Sequence, residues 1–106
     1  MYEDLTPEEF VARRAENELW QLLDVREPWE RGIAHVAGSI DIPMGEVPDR
    51  LDEIDRSRPV AVLCHGGVRS ARVATWLTQQ GLTEVANIAG GIDAWSITVD
   101  DTIARY

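Results

Sequence analysis

One cysteine and no lysine occur among the 106 residues of this chain. A single cysteine cannot close an internal disulfide and cannot build a zinc site of the multi-cysteine type. It also excludes a CxxC redox motif. Without lysine there is no Schiff-base chemistry. The ten basic residues are all arginine and face 19 acidic ones, and a net charge of −9 repels nucleic acid and anionic membrane surfaces. No apolar run approaches membrane-spanning length. The acidic start "MYEDLTPEEF" lacks the apolar stretch of a signal peptide. The expectation is a cytoplasmic protein with no nucleic-acid partner, no membrane partner, no metal and no cofactor.

The length suits a single domain over residues 1–106, able to bury roughly two-thirds of its unfolded surface. "LTPEEF" is a helix start: Thr6 caps, Pro7 suits the first helical position and Glu9 completes a capping box, with Leu5 and Phe10 as a hydrophobic staple. Trp20 to Val25 reads as a short buried strand. "EPWERG" reads as a short helix with Pro28 in its first turn, and "GSIDIP" as a strand stopped by Pro43. "EVPDRLDEID" reads as a short helix with Leu51 and Ile54 inward. Pro59 to Cys64 ("PVAVLC") is a valine-rich apolar run, the pattern of a central parallel strand covered on both faces. "SARVATWLTQQG" follows as a helix, with Ala71, Ala74 and Leu77 on one face and Gly81 just past its end. "EVANIAGG" reads as a last strand and turn, "IDAWSI" as a short helix, and "TVDDTIARY" as a polar surface tail. Strands that alternate with helices give an α/β fold, a mainly parallel sheet with helices on both faces. Ligands of such sheets bind beyond the carboxyl ends of the strands, which is where Cys64 falls.

The stretch "CHGGVRSA" (64 to 71) then carries the chemistry. A lone cysteine ending an apolar strand is usually a small hydrophobe. Its neighbours favour a nucleophile instead. Gly66 and Gly67 allow positive φ and a tight turn. Such turns point successive N–H groups inward as an anion-binding nest. The helix starting near Arg69 or Ser70 adds positive potential at the same point, and Arg69 adds a fixed cation. The surroundings favour the thiolate of Cys64 and offer a cradle for negative charge bonded to it.

This loop resembles the active-site loop of the rhodanese family, C-x-x-G-x-R followed by Ser or Thr, with Cys64, Gly67, Arg69 and Ser70 in those places. Leu22 to Glu30 ("LLDVREPWE") resembles the family's "DVRE" signature. Ala34 to Pro43 ("AHVAGSIDIP") is similar to "GHIPGAINIP", except that Ala34 and Ala37 replace the usual glycine and proline. Asn87 to Trp95 ("NIAGGIDAW") resembles "GG-x-x-AW". The resemblance covers nearly the whole chain. It implies a rhodanese-like fold and a sulfurtransferase that carries sulfane sulfur from thiosulfate or a similar donor to a thiol or cyanide, through a persulfide on Cys64. On this reading His65, Gly66, Gly67, Val68, Arg69 and Ser70 bind substrate, with the loop N–H groups holding the terminal sulfur and Arg69 orienting either the anionic donor or the loop.

Two rivals are kept in view. One is a sulfur carrier or interaction module of the same fold that works only with a partner. The other is a phosphatase or arsenate reductase, but cysteine phosphatases need C-x5-R, and here four residues separate Cys64 from Arg69. The shorter loop fits one sulfur atom better than a tetrahedral phosphate. With no second thiol, the sulfur must leave to an outside acceptor, a small molecule or a protein. His65 is read either as a solvent-facing contact or as having no role. His35 is read as structural. Asp24 and Arg26, at a strand end on the same side of the sheet as Cys64, are read as structural support for the loop in preference to an acid and a cation for substrate.

Overall fold

A computed structural model describes all 106 residues. Five strands form one parallel sheet: β1 (Glu3–Leu5), β2 (Gln21–Asp24), β3 (Ile40–Asp41), β4 (Val60–Leu63) and β5 (Val85–Ile88), in the order β1-β5-β4-β2-β3. The helices are α1 (Pro7–Glu16), α2 (Pro28–Ile33), α3 (Val68–Gln79) and α4 (Gly91–Thr98), with two 3-10 turns at Met44–Glu46 and Pro48–Glu53.

The valine-rich run does form the middle strand, and all four residues of β4 are buried. Its period-2 alternation divides the core. Val60 and Val62 face a cluster with Leu23, Ile42, Ile54, Val73 and Leu77. Ala61 and Leu63 face the opposite cluster, with Phe10, Trp20, Leu22, Ile88, Ile92 and Trp95. The first cluster is roofed by α3 and the 3-10 turns, and the second by α1 and α4. Phe10 meets Trp20 edge-on with centroids 5.8 Å apart, a favoured aromatic geometry. No helix is long and apolar enough to cross a membrane.

The capping box at α1 forms as read: Glu9 N–H donates to Thr6 Oγ1 at 3.1 Å and Thr6 N–H to Glu9 Oε1 at 2.9 Å. Gly81 takes φ +91° just beyond α3, where a residue without Cβ ends a helix at least cost. Three expectations differ. The sequence gives no local sign of β1, because a three-residue edge strand is defined by its partner: Glu3, Asp4 and Leu5 pair with Ala86, Asn87 and Ile88. The segment around Leu51 is 3-10 rather than α-helical, although Ile54 is buried as read. The tail is not simply a surface segment. Ile103 packs against the second cluster, and Tyr106 stacks on His65 in the loop after β4.

Candidate active site

β4 ends at Leu63, in the middle of the sheet, and the chain must then turn into α3 within four residues. Gly67 makes the turn at φ +107°. A Cβ there would lie 3.3 Å from Gly90 N and 3.5 Å from Ile88 O, so both conformation and space require glycine. The sequence reading assigned positive φ to both glycines. Gly66 does not adopt it and would accommodate a side chain freely. One left-handed residue immediately before the helix completes the change of direction.

A second glycine pair fixes the loop from above. Gly90 and Gly91 start α4 with φ +79° and +60°. A Cβ on Gly91 would collide with the carbonyl oxygens of Cys64 and His65. The absence of that atom lets the first turn of α4 press onto the loop. Ile92 N–H donates to Cys64 O at 2.9 Å and Asp93 N–H to His65 O at 3.2 Å. Two carbonyls at the start of the loop are thereby engaged on α4.

Cys64 is 1% exposed. Its Sγ accepts from Gly67 N–H at 3.0 Å and lies 3.2 Å from Ser70 Oγ. The N–H groups of His65, Gly66, Val68, Arg69 and Ser70 find no acceptor within the chain. The last three are the orphan donors of the first turn of α3, at the positive end of its dipole. A sulfur bonded by one N–H, in a turn that leaves five further N–H groups without an acceptor, has the makings of a site for negative charge.

Arg69 forms a two-pronged pair with Glu30 of α2, Nη1 to Oε2 and Nη2 to Oε1, both at 2.7 Å. The Arg69 guanidinium holds the Glu30 carboxyl down at about 2, against the opposing effect of burial. Glu30 in turn raises Arg69. Glu30 also accepts from Glu27 N–H at 2.8 Å and from the Tyr106 hydroxyl at 2.9 Å. Burial raises the Tyr106 phenol, which keeps it a donor. That hydroxyl accepts from Arg26 Nη1 at 3.0 Å. The Tyr106 ring also stacks on His65, with centroids 4.1 Å apart.

Asp24 and Arg26 are fully buried and paired at 2.7 Å. Arg26 N–H closes back onto Asp24 Oδ1, and Arg26 Nη2 donates to Ala34 O at 2.8 Å. Burial opposes the charge of Arg26, while the bonds from Asp24 and Tyr106 outweigh it. The pair is a strut linking β2, α2 and the tail. His35 joins Ser39 and Asp41 at the surface, at 3.0 and 3.2 Å.

The structure thus gathers Cys64, His65, Gly66 and Gly67 in one loop and Val68, Arg69 and Ser70 in the first turn of α3 that follows it. Val68 is 70% exposed at its outer edge, and His65 is half covered by Tyr106. Sequence reasoning assigned no role to Glu30, Asn87 or Tyr106. Glu30 and Asn87 stand inside the motifs already noted. Tyr106 carries no sequence signal.

The model of the Rhodanese-like domain matches residues 6–98. An uncharacterized Bacillus subtilis protein, YqhL, is 42% identical over 86% of this chain and 70% of its own length. The thiosulfate sulfurtransferase GlpE of Pseudomonas entomophila is 30% identical over 98% of this chain and 94% of its own. Among solved structures, a rhodanese-like domain protein from Staphylococcus aureus superposes with a TM-score of 0.83 at 29% identity, covering 98% of both chains.

Proposed function

Because the chain belongs to the rhodanese-like domain family, a membership that with its sulfurtransferase relatives supports a role in sulfur transfer, we propose that it moves sulfane sulfur from thiosulfate or a similar anionic donor to a thiol or cyanide, within one domain spanning residues 1–106. The Cys64 thiolate attacks the outer sulfur of the donor. An Sγ–S bond forms, the S–S bond of thiosulfate breaks, and sulfite leaves with the electron pair. The acceptor then attacks the terminal sulfur and returns Cys64 to the thiolate. Two half-reactions of this kind give ping-pong kinetics.

The observation that carries this reading is the free N–H array around a sulfur already bound by Gly67. Preformed donors aimed at developing charge act as an oxyanion hole does. The N–H groups of His65, Gly66, Val68 and Arg69 receive the terminal sulfur, and Ser70 and Gly67 hold Sγ. Arg69, with both terminal nitrogens on Glu30, fixes the loop wall, and its exposed edge meets the donor.

The burial of Cys64 favours one second reading, a sulfur carrier that opens only on a partner. Intact mass decides between them. Incubation with thiosulfate adds one sulfur atom, cyanide removes it, and Cys64→Ser never gains it. A folded protein with a free thiol that gains no sulfur moves the function to the partner-dependent carrier.

A further inference from the structure

The hydrogen bonds behind Cys64 have a defined direction. Asn87 Nδ2 donates to Asp4 Oδ1 at 3.0 Å and lies 3.4 Å from Gly67 O. A carboxylate and a carbonyl only accept, so that end of the amide is its NH2. The other end, Oδ1, is 2.5 Å from Ser70 Oγ and accepts the Ser70 proton. A hydroxyl has one proton. With it committed to Asn87, Ser70 Oγ offers Cys64 only a lone pair, and the 3.2 Å contact to Sγ is an S–H donating to oxygen.

We propose that Asn87, pinned by Asp4, is a positioning residue for Cys64: by taking the Ser70 proton it sets the Ser70 hydroxyl to accept from the thiol and so opposes loss of the Cys64 proton. The inference rests on Cys64 being the reactive group. When Cys64 loses its proton, Ser70 must rotate its hydroxyl onto Sγ to support the new charge, and Asn87 Oδ1, in a residue 5% exposed, loses its donor. Asn87 therefore opposes the thiolate that the N–H groups favour. Other charges around Cys64 are held by partners of their own: Arg69 by Glu30, Arg26 by Asp24, and Asp93 by Arg105. His65 lies in the loop itself, stacked on Tyr106.

The test is the ultraviolet thiolate absorbance followed against pH, without any sulfur donor. The single cysteine makes the signal assignable. In Asn87→Ala the onset is expected about one pH unit lower, the worth of one hydrogen bond to a charged acceptor. Ser70→Ala/Asn87→Ala is expected to show no further change from Ser70→Ala, because the coupling runs through the hydroxyl. An unchanged or higher onset in folded Asn87→Ala overturns the proposal, as does an equal shift in the Ser70→Ala background. Should Asn87→Ala fail to fold, the exposed Asp4 provides the second variant. A lower onset in Asp4→Ala that Ser70→Ala abolishes supports the proposal, and any other result overturns it. Thiosulfate is absent throughout, so a failure to form persulfide bears on the transfer reading and not on this one.

Discussion

The ring of Tyr106 lies on that of His65, with centroids 4.1 Å apart and planes 11° from parallel. The tail is thereby fastened over the loop beside Cys64, and the Tyr106 hydroxyl joins the Asp24–Arg26 pair to the Glu30–Arg69 pair. Tyr106→Phe keeps the stack and loses both bonds. It is expected to cost about 1 kcal/mol in denaturant unfolding. Tyr106→Ala loses the stack as well, and amide hydrogen exchange at Ile92 and Asp93, whose N–H groups bond the Cys64 and His65 carbonyls, is expected to quicken in that variant only.

Glu30 gives the protein a defined acid sensitivity. Its carboxyl falls from 4.5 to about 2 on folding. A depressed carboxylate contributes stability that is complete above the unfolded value and is lost as pH falls through the folded one. The contribution, on the order of 3 kcal/mol, therefore drains away between about pH 4.5 and 2. Glu30→Gln is expected to be less stable at pH 7 and to lose less between those limits. Equal slopes in chemical denaturation of the two proteins over that range count against the assignment.

Arg69 couples the loop to α2. Arg69→Ala leaves Glu30, 3% exposed, without its cation, and is expected to cost about 2 kcal/mol or more. Arg69→Ala/Glu30→Gln is expected to cost less than the two single changes added together. Additivity in urea unfolding would mean that the pair is not coupled.

Gly91→Ala places a methyl against the Cys64 and His65 carbonyls. Docking of α4 is expected to fail, and the melting temperature to drop by more than for Gly66→Ala, whose Cβ meets nothing within 4 Å. A similar melting temperature for the two variants would show that α4 yields without cost.

Much of this was legible before any fold was seen. The unbroken apolar run from Pro59 to Cys64 and its flanking turns marked the middle strand, because burial on both faces demands continuous apolarity. Thr6, Pro7 and Glu9 marked a helix start, since capping is local chemistry. Gly66, Gly67 and Arg69 behind Cys64 marked a tight turn rich in N–H groups, and the resemblance to the rhodanese loop singled out Gly67, Arg69 and Ser70 within it. Asp24 and Arg26 were read as support, and the structure places them fully buried beneath the site.

Glu30 and Asn87 lay in recognisable motifs, yet nothing in their neighbours told whether their side chains met the loop or water. Tyr106 lay in a polar tail with no pattern. The sequence by itself determined the strand that delivers Cys64, the glycine pair at which the chain turns after it, and the charges available nearby. Only the tertiary structure decided where those charges go. Arg69 is taken by Glu30 across 39 positions, Asn87 by Asp4 across 83, and Tyr106 by Glu30 across 76. Local chemistry acts over a turn or a strand, and periodicity records it. Pairings between distant segments depend on the strand order of the sheet, which brings β1 beside β5 and the tail over α2, and no local pattern encodes that neighbourhood.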